Sequence, residues 1–310
     1  MTLTRRLWPR CLVVLLCSGL TLVAPSSWAA TVARSRTSGV QCVSRGREYA
    51  PLAKRMAKDL DSRLDDRDSD DGLNLTDSKT NVTCWYHSTR HFIAASVIKV
   101  AILAALLRKA QQEHRRLTTT ETSAAWLMIT QSDNDAANTL WFDVGLPFMQ
   151  HFLNLAKMRQ TKLDFHWGLT LITAHDEMTL LSVISSPNTV LTKTSRIYAR
   201  YLMAHVTAGQ RWGVPAGTPR GVLVHVKNGW LPYPGSAWEI NSIGTFTTTS
   251  RLYKIVMLTY NNPSMAYGVD TIEGAAQVIH ALLNPGKRAA VAPSVPTPAW
   301  GIPDEPIAGR

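Results

Sequence analysis

The spacing of apolar residues divides the chain into helical and extended segments. From Glu48 to Leu64 apolar residues recur every three or four positions, which predicts an amphipathic helix. A longer apolar run begins at Ser96 and continues to about His114, and it predicts a long, largely buried helix. The same spacing, helped by capping residues such as Thr118, Glu121 and Thr173, predicts further helices at 118–128, 135–143, 148–158, 175–184, 195–208 and 267–283.

Segments rich in Val, Ile, Tyr and Trp predict strands in two parts of the chain that are far apart in sequence. Residues 73–86 are predicted to form one or two strands of a hairpin, preceded by an aspartate-rich solvated turn at 65–72. Residues 221–227, 238–246 and 253–259 predict three consecutive antiparallel strands, with Lys227 at the end of the first.

The two ends of the chain have the composition of segments that lie outside a folded domain. Residues 1–29 match an export signal, because arginines precede an apolar run over 12–22 and Ser27-Trp28-Ala29 forms a small-x-small cleavage site. The apolar run is too short to cross a bilayer, so no integral membrane span is expected. We therefore predict a secreted protein of the cell wall or an equivalent extracytoplasmic space, with a disordered Pro-rich tail at 291–310.

Charge and cysteine usage agree with export. Cleavage of the signal would remove three arginines and no acidic residue, which lowers the formal net charge from +11 to +8. Such a basic chain is attracted to anionic cell-wall polymers, whereas the absence of a nucleic-acid motif or basic stripe argues against nucleic acid as a partner. Cys42 and Cys84 would remain, and an oxidising compartment favours a disulfide between them over a metal site, which needs more ligands.

The most informative chemistry lies where the long helix begins, at Ser96 and Lys99. Residues three apart share a helix face, which would bring the amine beside the hydroxyl. A neutral serine is a weak nucleophile that needs a neighbouring base, and a lysine shielded from water can be that base. Taken alone, the pair also fits a capping serine beside a solvated lysine, because four-residue patterns recur by chance.

Two later motifs favour the catalytic interpretation. Ser132-Asp133-Asn134 and Lys227-Asn228-Gly229 follow Ser96-Val97-Ile98-Lys99 in that order. Ser-x-x-Lys, Ser-Asp-Asn and Lys-[Thr/Ser]-Gly are the signature set of class A β-lactamases and penicillin-binding proteins. The sequence thus resembles the penicillin-recognising serine hydrolases over about residues 50–285, and it departs from them at Asn228, where the family has Thr or Ser.

The resemblance implies an α/β (α+β) two-lobed β-lactamase/transpeptidase-like fold. An antiparallel sheet flanked by helices would come from residues 42–90 and 215–285, and a helical lobe from 91–214. Both lobes would belong to one domain of residues 30–290, which we expect to be a monomer without a metal or cofactor.

The resemblance also implies three catalytic residues in the cleft between the lobes. Ser96 would be the nucleophile, Lys99 its base or proton shuttle, and Ser132 the donor that passes a proton to the leaving nitrogen.

Five further residues would bind the substrate by the same resemblance. Asn134 would bind its amide and Lys227 its carboxylate by charge-assisted hydrogen bonding. Asn228 and Gly229 complete the Lys227 motif, and the backbone N–H of Trp230 would complete an oxyanion hole with that of the nucleophile.

One segment departs from the class A pattern in a way that affects the expected turnover. In class A β-lactamases the loop corresponding to residues 162–170 carries a glutamate that orients the water for deacylation, but here it contains none. Asp164 and His166 are its titratable substitutes, and Trp167-Gly168-Leu169 is expected to pack as a structural turn. The next helix is expected to place Glu177 on its surface.

These observations predict a serine hydrolase that forms an acyl-enzyme at Ser96, with β-lactam hydrolysis as the first interpretation. A D-Ala-D-Ala carboxypeptidase or penicillin-binding protein acting on peptidoglycan stem peptides is the enzymatic alternative. A non-catalytic binder of wall peptide or β-lactam is the third, favoured by Asn228 and the missing glutamate but disfavoured by the complete nucleophile and base set.

Overall fold

The computed structural model describes residues 39–232 and 237–291. The predicted signal at 1–29 lies outside the described residues, as does the predicted tail apart from Val291. The described residues form eight strands: β1 (Gln41–Ser44), β2 (Asp70–Asp77), β3 (Val82–Tyr86), β4 (Phe92–Ile93), β5 (Leu171–Ile172), β6 (Leu223–Pro232), β7 (Trp238–Thr247) and β8 (Leu252–Asn262).

The same residues form eight α-helices with boundaries close to those predicted. They are α1 (Ala50–Asp65), α2 (Lys99–Gln112), α3 (Thr119–Thr130), α4 (Asn134–Val144), α5 (Leu146–Ala156), α6 (Ala174–Ser185), α7 (Lys193–Ala204) and α8 (Met265–Leu283). The predicted capping box is present, since the Thr118 side chain accepts from the Glu121 N–H and the Glu121 carboxylate accepts from the Thr118 N–H.

Six of the strands form one antiparallel sheet in the order β1-β3-β2-β8-β7-β6. The hairpin from the start of the chain is therefore joined to the three later strands by the pairing of β2 with β8. This arrangement leaves β6 at one edge of the sheet, where it contacts the segment that carries Ser96. The short strands β4 and β5 pair with each other in a separate two-stranded sheet.

The helices cover both faces of this sheet. Helices α1 and α8 pack against each other and against sheet strands, and α6 packs against β2, β7 and β8. Helix α2 contacts α4, α5 and α7, and its residues from Lys99 to Leu106 are fully buried. A helix that is apolar on all sides belongs in a core, and α2 accordingly forms the centre of the helical layer. The predicted mixed fold, an antiparallel sheet with flanking helices beside a helical layer, is confirmed.

The disulfide between Cys42 and Cys84 is present and joins two directly opposed residues of β1 and β3. It fastens the edge strand β1 to the sheet. Among the described residues, no helix combines the length and the apolar character needed to cross a bilayer.

Four local expectations were wrong. Strand β6 continues through Asn228 and Trp230 to Pro232 instead of ending at Lys227, and Asp70 and Asp71 belong to β2 instead of a solvated turn. Ser96 lies in a 3-10 turn, and the α-helix begins only at Lys99.

The fourth error concerns Glu177, which the sequence placed on a helix surface. Its side chain is fully buried, and among the described residues neither carboxyl oxygen has a hydrogen-bond partner. On α6 it shares a stripe with Leu181 and Ile184, which are four and seven residues further on and are also fully buried. Burial raises the pKa of Glu177 well above its ordinary value, and the nearby Asp176 raises it further.

Candidate active site

Ser96 lies in a 3-10 turn, Ala95–Ile98, between β4 and α2. Ala95 has a positive φ of 46°, a conformation that costs energy for a residue with a Cβ. Hydrogen bonds from two sides fix the approach to this turn, since the Ala94 N–H donates to the Thr170 carbonyl at 2.9 Å and the Asn241 amide donates to the Ile93 carbonyl at 2.8 Å. The nucleophile candidate thus stands on a supported backbone.

The edge strand β6 passes directly against this turn at Gly229. A Cβ at Gly229 would lie 2.9 Å from the backbone nitrogens of Ser96 and Val97 and 2.9 Å from the Ala94 carbonyl oxygen. Only glycine permits so close an approach of two backbones. This contact brings the third motif beside the first.

Ser132 and Asn134 lie where α3 ends and α4 begins. Ser132 has a positive φ of 60°, and Asp133 caps α4 by accepting a 2.7 Å hydrogen bond from the Ala136 N–H. The reversal of the chain at Ser132 turns its side chain and carbonyl towards Lys99. The predicted junction position of the Ser-Asp-Asn motif is therefore observed.

Two buried lysines converge on the Ser132 hydroxyl. The Lys227 amine donates to Ser132 Oγ at 2.9 Å and to the Asn228 carbonyl at 2.8 Å. The Lys99 amine donates to the Ser132 carbonyl at 2.7 Å and to Asn134 Oδ1 at 2.7 Å, and it lies 3.3 Å from Ser132 Oγ. Both lysine side chains are fully buried, and within the described residues no hydrogen bond joins Lys99 to Ser96.

Burial changes the charge state of both amines. It lowers the pKa of Lys99 well below the usual value for lysine, and the nearby Lys227 lowers it further, whereas Asp133 acts in the opposite direction. Burial also lowers the pKa of Lys227 to about 7. A neutral lysine can accept a proton, so the site can supply a base near neutral pH.

Asn228 and Trp230 lie on β6 together with Lys227, but their side chains have different surroundings from the Lys227 side chain. The Asn228 side chain is fully buried, and its amide nitrogen donates at 2.9 Å to the carbonyls of both Gln210 and Trp212. It holds the 210–212 segment against β6, and the binding role expected for its side chain stays a prediction. Trp230 is also buried, with its ring 5.9 Å from that of Trp212.

Trp167, which the sequence assigned only to a structural turn, lies over Lys99. The centroid of its indole ring is 4.7 Å from the Lys99 Nζ, within the range of a cation–π contact. Its indole N–H donates a 2.8 Å hydrogen bond to Asn138 Oδ1 on α4. Nothing in the local sequence pattern of Trp167-Gly168-Leu169 distinguishes such a role from ordinary packing.

The two titratable residues of the same loop have other surroundings. Asp164 Oδ1 accepts a 2.9 Å hydrogen bond from the His166 backbone N–H, and the His166 ring lies 3.7 Å from the same oxygen. The His166 side chain is 74% exposed. The aromatic Trp167, and not the imidazole, is the side chain that this loop places against Lys99.

Together, the antiparallel sheet, the helical layer and the three motifs between them define a β-lactamase-like serine hydrolase fold of the class A type. Residues 54–125 and 118–283 match the family described as the β-lactamase enzyme family, and because these ranges span most of the chain, the chain belongs to that family. No curated protein matches the sequence.

Solved structures support the same assignment of fold. A class A β-lactamase from Bacteroides cellulosilyticus has a TM-score of 0.66 at 16% identity, covering 75% of this chain and 98% of its own. The TLA-3 extended-spectrum β-lactamase has a TM-score of 0.67 at 15% identity, covering 74% and 98%. A point mutant of PBP-A, solved as an acyl-enzyme complex with penicillin G, has a TM-score of 0.64 at 17% identity, covering 75% and 97%. At these identities the similarity shows a shared fold.

Proposed function

We propose that this protein is a serine acyl-enzyme hydrolase in which β-lactams acylate Ser96. The observation that carries the proposal is the Ser132 hydroxyl held between two buried amines, at 3.3 Å from Lys99 and 2.9 Å from Lys227. Such an arrangement serves proton transfer, and a site that only bound a ligand would not need it. The non-catalytic binder is therefore the weaker interpretation.

The chemistry follows from which groups are neutral. Lys99, with its lowered pKa, accepts the Ser96 proton through the Ser132 hydroxyl, which lies 3.3 Å from its amine, while Ser96 Oγ attacks the carbonyl carbon. The carbonyl oxygen becomes an oxyanion, for which the backbone N–H groups of Ser96 and Trp230 are the proposed donors. Ser132 gives its proton to the leaving nitrogen as the C–N bond breaks, and it regains one from Lys99.

Substrate binding is proposed for the groups that line this path. When protonated, Lys227 has three donor hydrogens, of which two are used on Ser132 and Asn228, so one is left for a substrate carboxylate. Asn134 uses its Oδ1 on Lys99, and because no described residue accepts from its amide N–H groups, these are left for a substrate carbonyl.

A second function is favoured by the loop at residues 162–170. Its one carboxylate, Asp164, accepts from His166 within the loop, and Trp167 occupies the face of Lys99. This arrangement favours acylation over fast β-lactam hydrolysis, as in a D-Ala-D-Ala carboxypeptidase or penicillin-binding protein acting on stem peptides. We place such an activity outside the cytoplasm, as the Cys42–Cys84 disulfide supports.

Intact mass spectrometry of the purified protein with benzylpenicillin tests the proposal. We expect one covalent adduct, absent in Ser96→Ala and slowed by roughly a hundredfold in Ser132→Ala because the proton route is lost. Ser123→Ala, on the exposed face of α3, is the matched control and should be acylated at the wild-type rate. Absence of both adduct and hydrolysed drug in the wild type would contradict the proposal.

The same purified protein, given either benzylpenicillin or a peptide substrate, distinguishes β-lactamase from peptidase activity. Free protein beside hydrolysed penicillin indicates a β-lactamase, whereas a persistent adduct together with release of D-alanine from an acyl-D-Ala-D-Ala peptide indicates a peptidase.

A further inference from the structure

The position of Trp167 is fixed by contacts on several sides. Its indole N–H is anchored by Asn138, and the loop that carries it is closed by two backbone hydrogen bonds between Lys162 and Leu171 at 2.8 and 3.0 Å. The Thr170 carbonyl accepts from the Ala94 N–H, two residues before Ser96. The loop that carries the ring is therefore held against the same backbone that carries the nucleophile.

The indole covers an amine whose other sides are already occupied. Lys99 Nζ contacts the Ser132 carbonyl, the Ser132 hydroxyl and Asn134 Oδ1, and the indole centroid lies 4.7 Å from it. The whole Lys99 side chain is fully buried. Solvent consequently does not reach the base from the side of the loop.

Hydrolysis of an ester on Ser96 needs a water molecule in hydrogen-bond contact with a base. The water oxygen forms a bond to the ester carbonyl carbon, its proton goes to the base and then to Ser96 Oγ, and the bond from Oγ to the acyl carbon breaks. Lys99, the amine under the indole, has a pKa lowered by burial, so it could accept this proton if water reached it. Acylation does not need this water, because its nucleophile is the Ser96 hydroxyl, which is already part of the protein.

We propose that Trp167 controls the lifetime of the acyl-enzyme by occupying the face of Lys99 that a hydrolytic water would need. The proposal rests on the proposed acylation of Ser96. It makes Trp167 a positioning residue for deacylation and gives it no part in forming the acyl-enzyme.

The test compares acylation and deacylation in variants of one loop. Trp167→Ala opens the space over Lys99, and we expect the benzylpenicillin adduct to decay at least about tenfold faster than in the wild type, with the acylation rate within about threefold. Trp167→Phe keeps a ring over the amine and should retain most of the wild-type lifetime. Asn138→Leu, which removes the indole acceptor, should lie between them.

Phe165→Ala is the matched control. Phe165 belongs to the same loop and is 63% exposed, and its ring contacts Phe142 and His166. Its substitution should change neither rate.

The outcomes separate the two proposals. Absence of any adduct in the wild type would end the proposed function itself. An adduct that decays at the wild-type rate in Trp167→Ala, or a folded Trp167→Ala that no longer acylates, would overturn the role of Trp167. Thermal melting checks whether each variant folds. If Trp167→Ala does not fold, the adduct lifetimes of Trp167→Phe and Asn138→Leu decide the question. Equal adduct lifetimes in Asn138→Leu and the wild type would then overturn the role of Trp167.

Discussion

The Lys227 amine lies 2.9 Å from the Ser132 hydroxyl oxygen. The Lys99 amine lies 3.3 Å from the same oxygen. Two amines this close cannot both carry a charge without repulsion, and burial of each makes the repulsion stronger than it would be in water. The pair therefore favours one neutral and one charged lysine. We expect Lys99 to be the neutral member, because its pKa is lowered by burial and by Lys227.

The first prediction concerns the pH dependence of acylation in Lys227→Met. Loss of the Lys227 charge removes one of the causes that lower the Lys99 pKa, so this pKa rises and a larger fraction of Lys99 is protonated at a given acidic pH. The acid limb of the acylation rate should therefore move to higher pH. The effect is largest below about pH 7, where Lys227 is protonated in the wild type. A fluorescent penicillin followed by stopped flow gives the rate at each pH.

Lys254→Met is the control for this experiment. Lys254 is another lysine whose pKa is lowered by burial, but its amine donates to Ser182 on α6, away from the cleft. Its substitution should leave the acid limb unchanged. The proposed coupling of the two amines would be contradicted if the acid limb of the acylation rate stayed in place or moved to lower pH in Lys227→Met.

The second prediction concerns Gly229, where β6 meets the Ser96 turn. A methyl group there would lie 2.9 Å from three backbone atoms, none of which can move without shifting the turn. We expect Gly229→Ala to lower the acylation rate by about a hundredfold, since it displaces both the nucleophile and the proposed oxyanion donors. Gly168→Ala is the control, because a Cβ at Gly168 meets nothing within 4 Å. Equal acylation rates in the two variants would refute the proposed geometry.

The main elements of this fold could be predicted from sequence because their signals are local. Apolar spacing located the helices, and β-branched and aromatic segments located the strands. The three motifs located Ser96, Lys99, Ser132, Asn134 and Lys227, and the structure joins the last four through direct hydrogen bonds. The proximity of Ser96 to β6 depends on the Gly229 contact, which a motif alone does not show.

The sequence failed where tertiary packing overrides residue type. Glu177 was assigned to a surface because it is charged, although its spacing from Leu181 and Ile184 was a signal for burial. Trp167 gave no such signal, since an indole in a loop packs against whatever the fold brings to it, here a lysine from α2. The orientation of Asn228 towards Gln210 and Trp212 likewise depends on a segment distant in sequence.

The third prediction concerns the buried carboxyl of Glu177. Below about pH 4.5 this carboxyl is protonated in both the folded and the unfolded chain. Above that pH it ionises when the chain unfolds but stays protonated in the fold until the pH reaches its raised folded-state pKa, so over this window it lowers the free energy of unfolding progressively as pH rises. Glu177→Met fills the site without an unpaired polar group, and we expect it to raise the free energy of unfolding at pH 7.5 by about 1–3 kcal/mol.

Urea unfolding at several pH values measures this gain. The advantage of Glu177→Met over the wild type should shrink as pH falls towards 4.5. Glu48→Met replaces an exposed glutamate and serves as the control, with no comparable gain expected. A variant less stable than the wild type at pH 7.5 would show that Glu177 has a stabilising role which its surroundings do not explain.

The fourth prediction concerns the ion pair of Asp77 and Arg251, at the end of the β2–β8 pairing. Arg251 contacts both carboxylate oxygens, at 2.5 and 2.8 Å, and the Thr80 N–H and hydroxyl also donate to Asp77. Burial acts to raise the pKa of Asp77, but the hydrogen bonds from Arg251 and Thr80 outweigh it and lower the pKa. The stability from this lowered pKa is present above the unfolded-state pKa of about 3.9 and is lost as pH falls through the folded-state value.

Removal of one partner of this pair should lower the free energy of unfolding by more than the intact pair contributes to it. Arg251→Met leaves the Asp77 carboxylate buried without its cation, and we expect a loss of about 3–5 kcal/mol in the free energy of unfolding at pH 7 by urea titration. The double variant Asp77→Asn with Arg251→Met removes the stranded charge and should recover part of that loss. Arg55→Met breaks an exposed pair with Asp59 and should cost less than about 1 kcal/mol. Equal losses of unfolding free energy in Arg251→Met and Arg55→Met would show that the buried pair does not hold β2 against β8. The backbone pairing of the two strands would then be sufficient without it.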